Sequence, residues 1–175
     1  TDQDNALVHA DGAPGAAAYF EAFAIRVIAD LVSAGFPPCP GGNMATRWRG
    51  PMSEWRERFG RWIDEPTAEA VLAAAIFFDH RGAGGTLDVS PLARVVARAR
   101  RNAPFLSQLA RAAGGFRPPI GAFRRLRAED GGIDLKKGGL APVQGLARLW
   151  ALDAGVAATG TLDRLAAAAA AGFLD

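Results

Sequence analysis

Apolar side chains recur at three- and four-residue spacing along most of this chain, and that spacing constrains the fold more than any other feature. Tyr19, Phe23 and Val27 illustrate it between residues 16 and 34, where they would lie on one face of a helix. The same spacing predicts further helices over residues 52–63, 68–75, 90–101, 104–114, 120–126, 142–150 and 162–171. A chain built mostly of such segments is predicted to be mainly α.

Residues that favour helix ends stand where these segments begin and stop. Thr67, Ser90 and Thr161 are predicted N-caps, because a hydroxyl oxygen can accept a backbone N–H of the first helical turn. Gly35 and Gly172 are predicted to end two of the helices, because glycine readily adopts the left-handed conformation that follows many helices. These boundary signals depend only on a few neighbouring residues.

Two short apolar segments are the strand candidates. Residues 5–10 follow a pair of acids, Asp2 and Asp4, and the Ile-Phe-Phe triplet at 76–78 could lie beside them. Residues 36–50 are predicted to be a loop, because proline and glycine are dense there. Since residues i and i+2 of a strand share a face, the two acids could bind one divalent cation such as Mg²⁺ or Mn²⁺. The alternative is a solvated chain end.

The composition limits where the protein works. A net charge of +2 over 175 residues does not by itself imply a polyanionic partner. The single cysteine, Cys39, permits no internal disulfide and is typical of a reducing compartment. No apolar run approaches the roughly 20 residues that a membrane helix needs. We therefore expect a cytoplasmic protein without a membrane partner.

Positive charge is nevertheless concentrated in one stretch of the chain. Nine arginines and no acidic residue lie between Ser90 and Ala128. These arginines could face phosphates, or their guanidinium groups could simply be solvated. Nucleic-acid binding is disfavoured, because the three phenylalanines of this stretch stand at predicted core positions and do not form a series of stacking platforms.

Lys136-Lys137-Gly138-Gly139 is a second candidate for binding an anion. The lysines supply point charges, and the glycines allow the backbone to approach a phosphate or an acceptor closely. The spacing and the missing terminal Ser or Thr exclude a Walker A loop. A solvated β-turn is the alternative.

Several motifs together resemble one family. They are residues 1–7 (TDQDNAL), 39–45 (CPGGNMA), Trp48-Arg49, 76–81 (IFFDHR), 118–123 (PPIGAF) and 133–143 (IDLKKGGLAPV). In their order and number they are similar to the motifs of bacterial nucleotidyltransferases that accompany CBS domains. Those proteins are relatives of the protein-PII uridylyltransferases. The resemblance covers nearly the whole chain.

The resemblance implies two domains. Residues 1–85 would form a partial α/β nucleotidyltransferase domain of the polymerase-beta-like kind, and residues 86–175 a helical substrate-binding domain. The family also has a Gly-Ser motif before the paired acids, at the start of the helix that cradles the triphosphate. This sequence contains no Gly-Ser dipeptide. We therefore expect a truncated fragment with little or no turnover alone, and CBS domains in the intact chain.

The resemblance also implies a reaction. The intact enzyme would transfer a nucleotidyl group from a nucleoside triphosphate to an acceptor, a protein being one candidate. Asp2 and Asp4 would hold Mg²⁺ or Mn²⁺, and Asp79 would supply a third carboxylate as base or bridge. Asp79 could instead pair with Arg81 or cap a turn. The competing hypothesis is a non-catalytic helical module that regulates or binds a protein.

Overall fold

The computed structural model describes residues 3–116 and 135–174, and of Lys137 only the backbone. Within these ranges the elements are β1 (Leu7–His9), α1 (Ala16–Ser33), β2 (Arg49–Pro51), α2 (Met52–Asp64), α3 (Ala68–Phe77), α4 (Ser90–Val96), α5 (Ala103–Gly114), α6 (Ala141–Asp153) and α7 (Thr161–Ala170). A 3₁₀ segment at Ala97–Arg101 follows α4, and a π-helical turn at Lys136–Leu140 leads into α6. The prediction of a mainly α chain is confirmed. The helix predicted around residues 120–126 lies outside the described residues.

Strands β1 and β2 form a parallel pair connected by α1. The register places Leu7 opposite Arg49 and His9 opposite Pro51, and Leu7 N–H donates to the Trp48 carbonyl at 3.0 Å. The predicted loop over residues 36–50 therefore contains the start of a strand. Three residues that end in proline carry almost no local strand signal, so main-chain pairing with β1 determines this strand.

The predicted strand at residues 76–78 is wrong, because α3 continues to Phe77. The Thr67 hydroxyl accepts the Ala70 N–H at 3.2 Å and starts a run of strong helix formers, which extends the helix through the apolar triplet. The rings at the end of α3 pack against aromatic rings of α2 and α5. The Phe78 ring lies 5.0 Å from that of Phe59 and 6.0 Å from that of Phe105.

Three of the predicted helix-end signals are confirmed. Thr67 caps α3, and Gly35 and Gly172 follow their helices with φ of +93° and +79°. Thr161 is not the N-cap of α7, since it is the first helical residue and Gly160 precedes it without any side-chain cap. A glycine in extended conformation at that position leaves the first turn without a hydroxyl acceptor.

The chain divides into two compact units. The first comprises residues 1–58 with 82–92, and the second comprises residues 59–81 with 93–175. Trp55 and Met44 are buried in the first unit, and Phe59, Ile63 and Phe105 in the second. Of the two tryptophans on α2, Trp55 therefore belongs to a core, as the apolar spacing of this helix predicts. The predicted boundary near residue 85 stays a prediction.

Helix α6 is buried through small residues. Gly145, Ala147 and Ala151 are its buried positions, whereas Val143 and Leu146 are 45% and 37% exposed. A Cβ on Gly145 would lie only 2.8 Å from the Ala113 Cβ of α5. The backbones of α5 and α6 therefore approach closely because both contact residues are small. Among the described helices, none combines the length and the apolar composition required to cross a bilayer.

Candidate functional site

Asp4 lies in an extended segment that other side chains hold in place. Asn5 Nδ2 donates to Gln3 Oε1 at 2.7 Å, and the Ala45 N–H donates to Asn5 Oδ1 at 2.7 Å. Asp4 between them is exposed and has no hydrogen bond or ion pair to any described residue. Its carboxylate is thus available to a hard cation, which prefers oxygen ligands. Asp2, the predicted second ligand, lies outside the described residues, so the metal site stays a prediction.

Three arginines line a cleft in the first unit, which we call the arginine cleft. Its volume is about 460 Å³. The charged and titratable lining residues are Arg47, Arg49, Arg58, Glu54 and His9, and the first residues of α1 complete the wall. Within the described residues, no three His, Cys, Asp or Glu side chains are close enough to hold a metal ion together. The arginine cleft is therefore suited to an anion more than to a cation.

Ion pairs and aromatic rings hold the guanidinium groups of the arginine cleft. Arg49 Nη2 lies 2.7 Å from the Glu21 carboxylate, and Arg58 pairs with Glu54 one turn earlier on α2. The Arg58 guanidinium carbon also lies 4.6 Å from the centroid of the Trp55 ring. Arg58 Nη1 is buried, and no described residue accepts a hydrogen bond from it.

The N-terminus of α1 adds to the positive potential of the arginine cleft. Ala16 and Ala17 line the cleft as the first residues of this helix. Gly15 precedes them in a left-handed conformation with φ of 72°, without a side-chain cap, and no acidic residue occupies the first turn. The partial positive charge of the helix end is therefore not neutralised locally, and such ends bind phosphates in many proteins.

Asp11 has a structural task beside this cleft. Its carboxylate accepts hydrogen bonds from Ser53 N–H at 2.9 Å and from Ser53 Oγ at 2.7 Å, at the start of α2. The Ser53 hydroxyl and then its backbone N–H lower the pKa of Asp11 below its ordinary value. Asp11 therefore ties the turn after β1 to α2.

Asp79 lies in the second unit, between two arginines. Arg164 Nη1 donates to Oδ2 at 3.0 Å and Nη2 donates to Oδ1, while Arg148 Nη2 donates to Oδ2 at 2.7 Å. Burial alone would raise the pKa of Asp79, but the hydrogen bonds from Arg164 and then Arg148 outweigh it and lower that pKa. Among the described residues, Asp79 thus pairs with these two arginines and not with the neighbouring Arg81, which the sequence offers as an alternative partner. The catalytic role of Asp79 stays a prediction, and its contacts favour a structural role.

The lysine–glycine segment also belongs to the second unit. Lys136, Gly138 and Gly139 lie in the π-helical turn, in which the Ala141 N–H donates to the Lys136 carbonyl five residues earlier. A β-turn is therefore the wrong description of this segment. Lys136 is exposed and Gly138 is buried, whereas the side chain of Lys137 lies outside what the structure describes. A phosphate-binding role for these residues stays a prediction.

The distribution of charge along the sequence does not predict the arginine cleft. Positive charge is concentrated in residues 90–128, of which Arg98 pairs with Asp64 at 3.2 Å and residues 117–128 lie outside the described ranges. Arg49 and Arg58 are separated in sequence from each other and from α1, so no run of positive charge marks them. Only the Trp48-Arg49 motif pointed to this region.

Comparisons with known protein families match two separate segments of the chain. The family model described as "Putative nucleotidyltransferase DUF294" matches residues 1–69. The model described as "Putative nucleotidyltransferase substrate binding domain" matches residues 103–175. Searches of curated proteins and of solved structures found no match. Over these two segments, the chain is therefore related to a nucleotidyltransferase-like family.

Proposed function

We propose that the chain contributes to metal-dependent transfer of a nucleotidyl group from a nucleoside triphosphate to an acceptor, a protein being one candidate. The observation that supports this proposal most is the arginine cleft, which lies in the unit that contains most of the matched nucleotidyltransferase segment. The cleft would bind the phosphates of the nucleotide. Association with CBS domains and a closer relation to the uridylyltransferases stay predictions.

The donors of the arginine cleft suit a polyphosphate. Guanidinium groups make charge-assisted hydrogen bonds to phosphate oxygens, which are roughly twice as strong as bonds between neutral groups. Arg47 is exposed at the cleft, and the half-buried Arg49 and Arg58 also line it. The N-terminus of α1 offers further N–H groups. Together these groups would bind several phosphate oxygens at once.

Asp2 and Asp4 would hold the Mg²⁺ or Mn²⁺ ion. When bound, such an ion neutralises charge on the reacting phosphate and on the leaving pyrophosphate. The exposed carboxylate of Asp4, which has no hydrogen bond or ion pair within the described part of the chain, fits this role. Asp79 fits it less well, because both of its oxygens already accept hydrogen bonds from arginines. The two family matches do not favour the alternative of a non-catalytic binding module.

The first experiment measures nucleotide binding. Each of ATP, GTP, CTP and UTP is titrated with Mg²⁺ while tryptophan fluorescence is recorded, since Trp55 and Trp48 contact the arginines of the cleft. We expect Arg58→Gln and Arg47→Gln to weaken binding about tenfold each, which is the value of one charge-assisted hydrogen bond. Arg26→Gln is the matched control, because Arg26 is exposed on α1 and does not line the cleft. Equal binding by all four proteins would reject the cleft as the phosphate site.

The second experiment measures the reaction. Pyrophosphate release from each triphosphate is followed with Mg²⁺ or Mn²⁺ in the protein as its gene encodes it. We expect Asp2→Asn and Asp4→Asn to abolish release while leaving metal-free nucleotide binding unchanged. Equal turnover in the wild type and in both variants would reject these acids as metal ligands. Loss of nucleotide binding together with loss of turnover would instead indicate damage to the cleft.

A further inference from the structure

A second cavity lies within the second unit, and we call it the Arg148 cavity. Its volume is about 170 Å³. Its apolar walls include Phe78, Val96, Leu152 and Val156. Among its described lining residues, Arg148 and Arg164 are the charged ones, and His80 also lines it. The cavity thus combines apolar walls with two cationic groups, as small-ligand sites do.

Among the described residues, the buried charges at the Arg148 cavity do not balance. Arg148 and Arg164 carry two positive charges, and Asp79 between them carries one negative charge. All three side chains are largely removed from water, with exposed fractions of 15%, 7% and 23%. An unbalanced charge in such surroundings is unfavourable unless a counter-ion approaches it. One negative charge in the cavity would complete the balance.

The two arginines differ in the donors that they leave free. Arg164 uses Nη1 and Nη2 on Asp79 and donates Nε to the Ala158 carbonyl at 2.8 Å. Arg148 donates Nη2 to Asp79, while its Nε is buried and has no acceptor among the described residues. Asp79 and Arg164 therefore position Arg148, and the exposed part of the Arg148 side chain lines the cavity, where it can meet a ligand.

A third arginine approaches the same cavity from the 3₁₀ segment. A Cβ on Gly155, which lines the cavity, would lie 2.7 Å from Arg100 Nη1. Gly155 has a φ of 72° and follows α6, so the guanidinium group lies near the negative end of that helix. Arg100 is exposed, so water screens its charge, and it stays outside the charge balance of the buried Arg148, Arg164 and Asp79.

We propose that the Arg148 cavity binds a small monocarboxylate, with the carboxylate at Arg148 and a short apolar group against Phe78 and Leu152. A single negative charge matches the charge balance of Asp79 with its two arginines. The cavity is smaller than the roughly 300 Å³ at which sites for drug-sized ligands begin, so a nucleotide does not fit. This site is independent of the arginine cleft, which lies in the other unit.

Butyrate is the probe, and butyramide is its neutral control of nearly the same shape. Binding to the 175-residue chain is measured by calorimetry and by the shift in melting temperature. We expect butyrate to bind in the millimolar range that so few atoms allow, and butyramide to bind about tenfold more weakly or not at all. Equal binding of the two compounds would overturn the proposal. Tighter binding of inorganic phosphate than of butyrate would overturn it as well.

Two variants test the location of the site. Arg148→Gln removes the donor, and Ala97→Leu fills the cavity from an exposed lining position without altering an ion pair. We expect each to weaken butyrate binding about tenfold or more, and Arg111→Gln, on the exposed side of α5, to leave it unchanged. Unchanged binding in folded Arg148→Gln would overturn the proposal. If that variant does not fold, unchanged binding in Ala97→Leu would do so.

Nucleotide titrations of the same variants separate this proposal from the proposed transferase function. Arg148→Gln and Ala97→Leu should bind nucleoside triphosphates as the wild type does, because neither residue lines the arginine cleft. Loss of butyrate binding with intact nucleotide binding supports the Arg148 cavity alone. Loss of nucleotide binding in both variants would overturn the independence of the two sites.

Discussion

Arg164 on α7 binds Asp79 at the end of α3 with both ends of its guanidinium group, although 85 residues separate them in sequence. Arg164 is only 6% exposed, and among the described residues it is the charged residue that is buried. The pair joins α7 to the segment that follows α3 within the second unit. A charge that is buried with its partner becomes costly when the partner is removed.

Replacing Asp79 should destabilise the protein substantially. Asp79→Ala leaves the charges of Arg148 and Arg164 without a carboxylate, and we expect it to lower the free energy of unfolding by about 3 kcal/mol. Asp64→Ala is the control, because Asp64 and Arg98 are more than half exposed and their pair should contribute less than about 1 kcal/mol. Urea denaturation measures both values. Equal losses of unfolding free energy in the two variants would contradict the burial of Asp79 with Arg148 and Arg164.

The contribution of Asp79 to the free energy of unfolding should decrease as the pH falls. Its pKa in the folded protein lies below the ordinary value of 3.8, so the unfolded chain takes up the proton first as the pH falls. The stabilisation is therefore complete above pH 3.8 and is lost as the pH falls through the folded pKa. We expect the difference in unfolding free energy between wild type and Asp79→Asn to be constant near neutral pH and to shrink in acid. An increase of this free-energy difference in acid would contradict the lowered pKa of Asp79.

The close approach of α5 and α6 should make Gly145 intolerant of a side chain. The added Cβ of Gly145→Ala would lie 2.8 Å from the Ala113 Cβ, so we expect a loss of about 1–3 kcal/mol from overpacking. Gly139→Ala is the matched control, since its Cβ would meet no atom within 4 Å and its φ is not in the left-handed region. Helical propensity should make that change neutral or stabilising by up to about 1 kcal/mol. The stabilities of the two variants are compared by thermal unfolding. A larger loss of stability in Gly139→Ala than in Gly145→Ala would refute the packing explanation.

The link between Asp11 and Ser53 should support the start of α2. Asp11→Ala removes the acceptor of two hydrogen bonds, whereas Ser53→Ala removes the hydroxyl donor and leaves the backbone N–H in place. We expect both variants to melt at lower temperature than the wild type, with the larger decrease for Asp11→Ala. The double variant should melt as Asp11→Ala does, because the hydroxyl has then already lost its acceptor. Additive decreases would show that the two side chains act separately.

Local interactions determined most of the helices and several of their ends. Thr67 caps α3 through an N–H three residues away, and Gly35 follows α1 with the positive φ that glycine tolerates best. Trp55 is buried as its helical spacing predicts. Each of these features depends on interactions between residues a few positions apart or on the period of the helix, so the sequence contains the information directly.

Long-range contacts decided the remaining features. Strand β2 exists because it pairs with β1, and the apolar triplet before Asp79 is helical because α3 continues through it and its rings pack on α2 and α5. The partners of Asp79 come from α6 and α7, and the arginine cleft combines α1, β2 and α2. Pairing between distant residues leaves no periodic signal in the sequence. Only the tertiary structure brings those arginines and carboxylates together, because packing of the helices and strands determines which distant charges become neighbours.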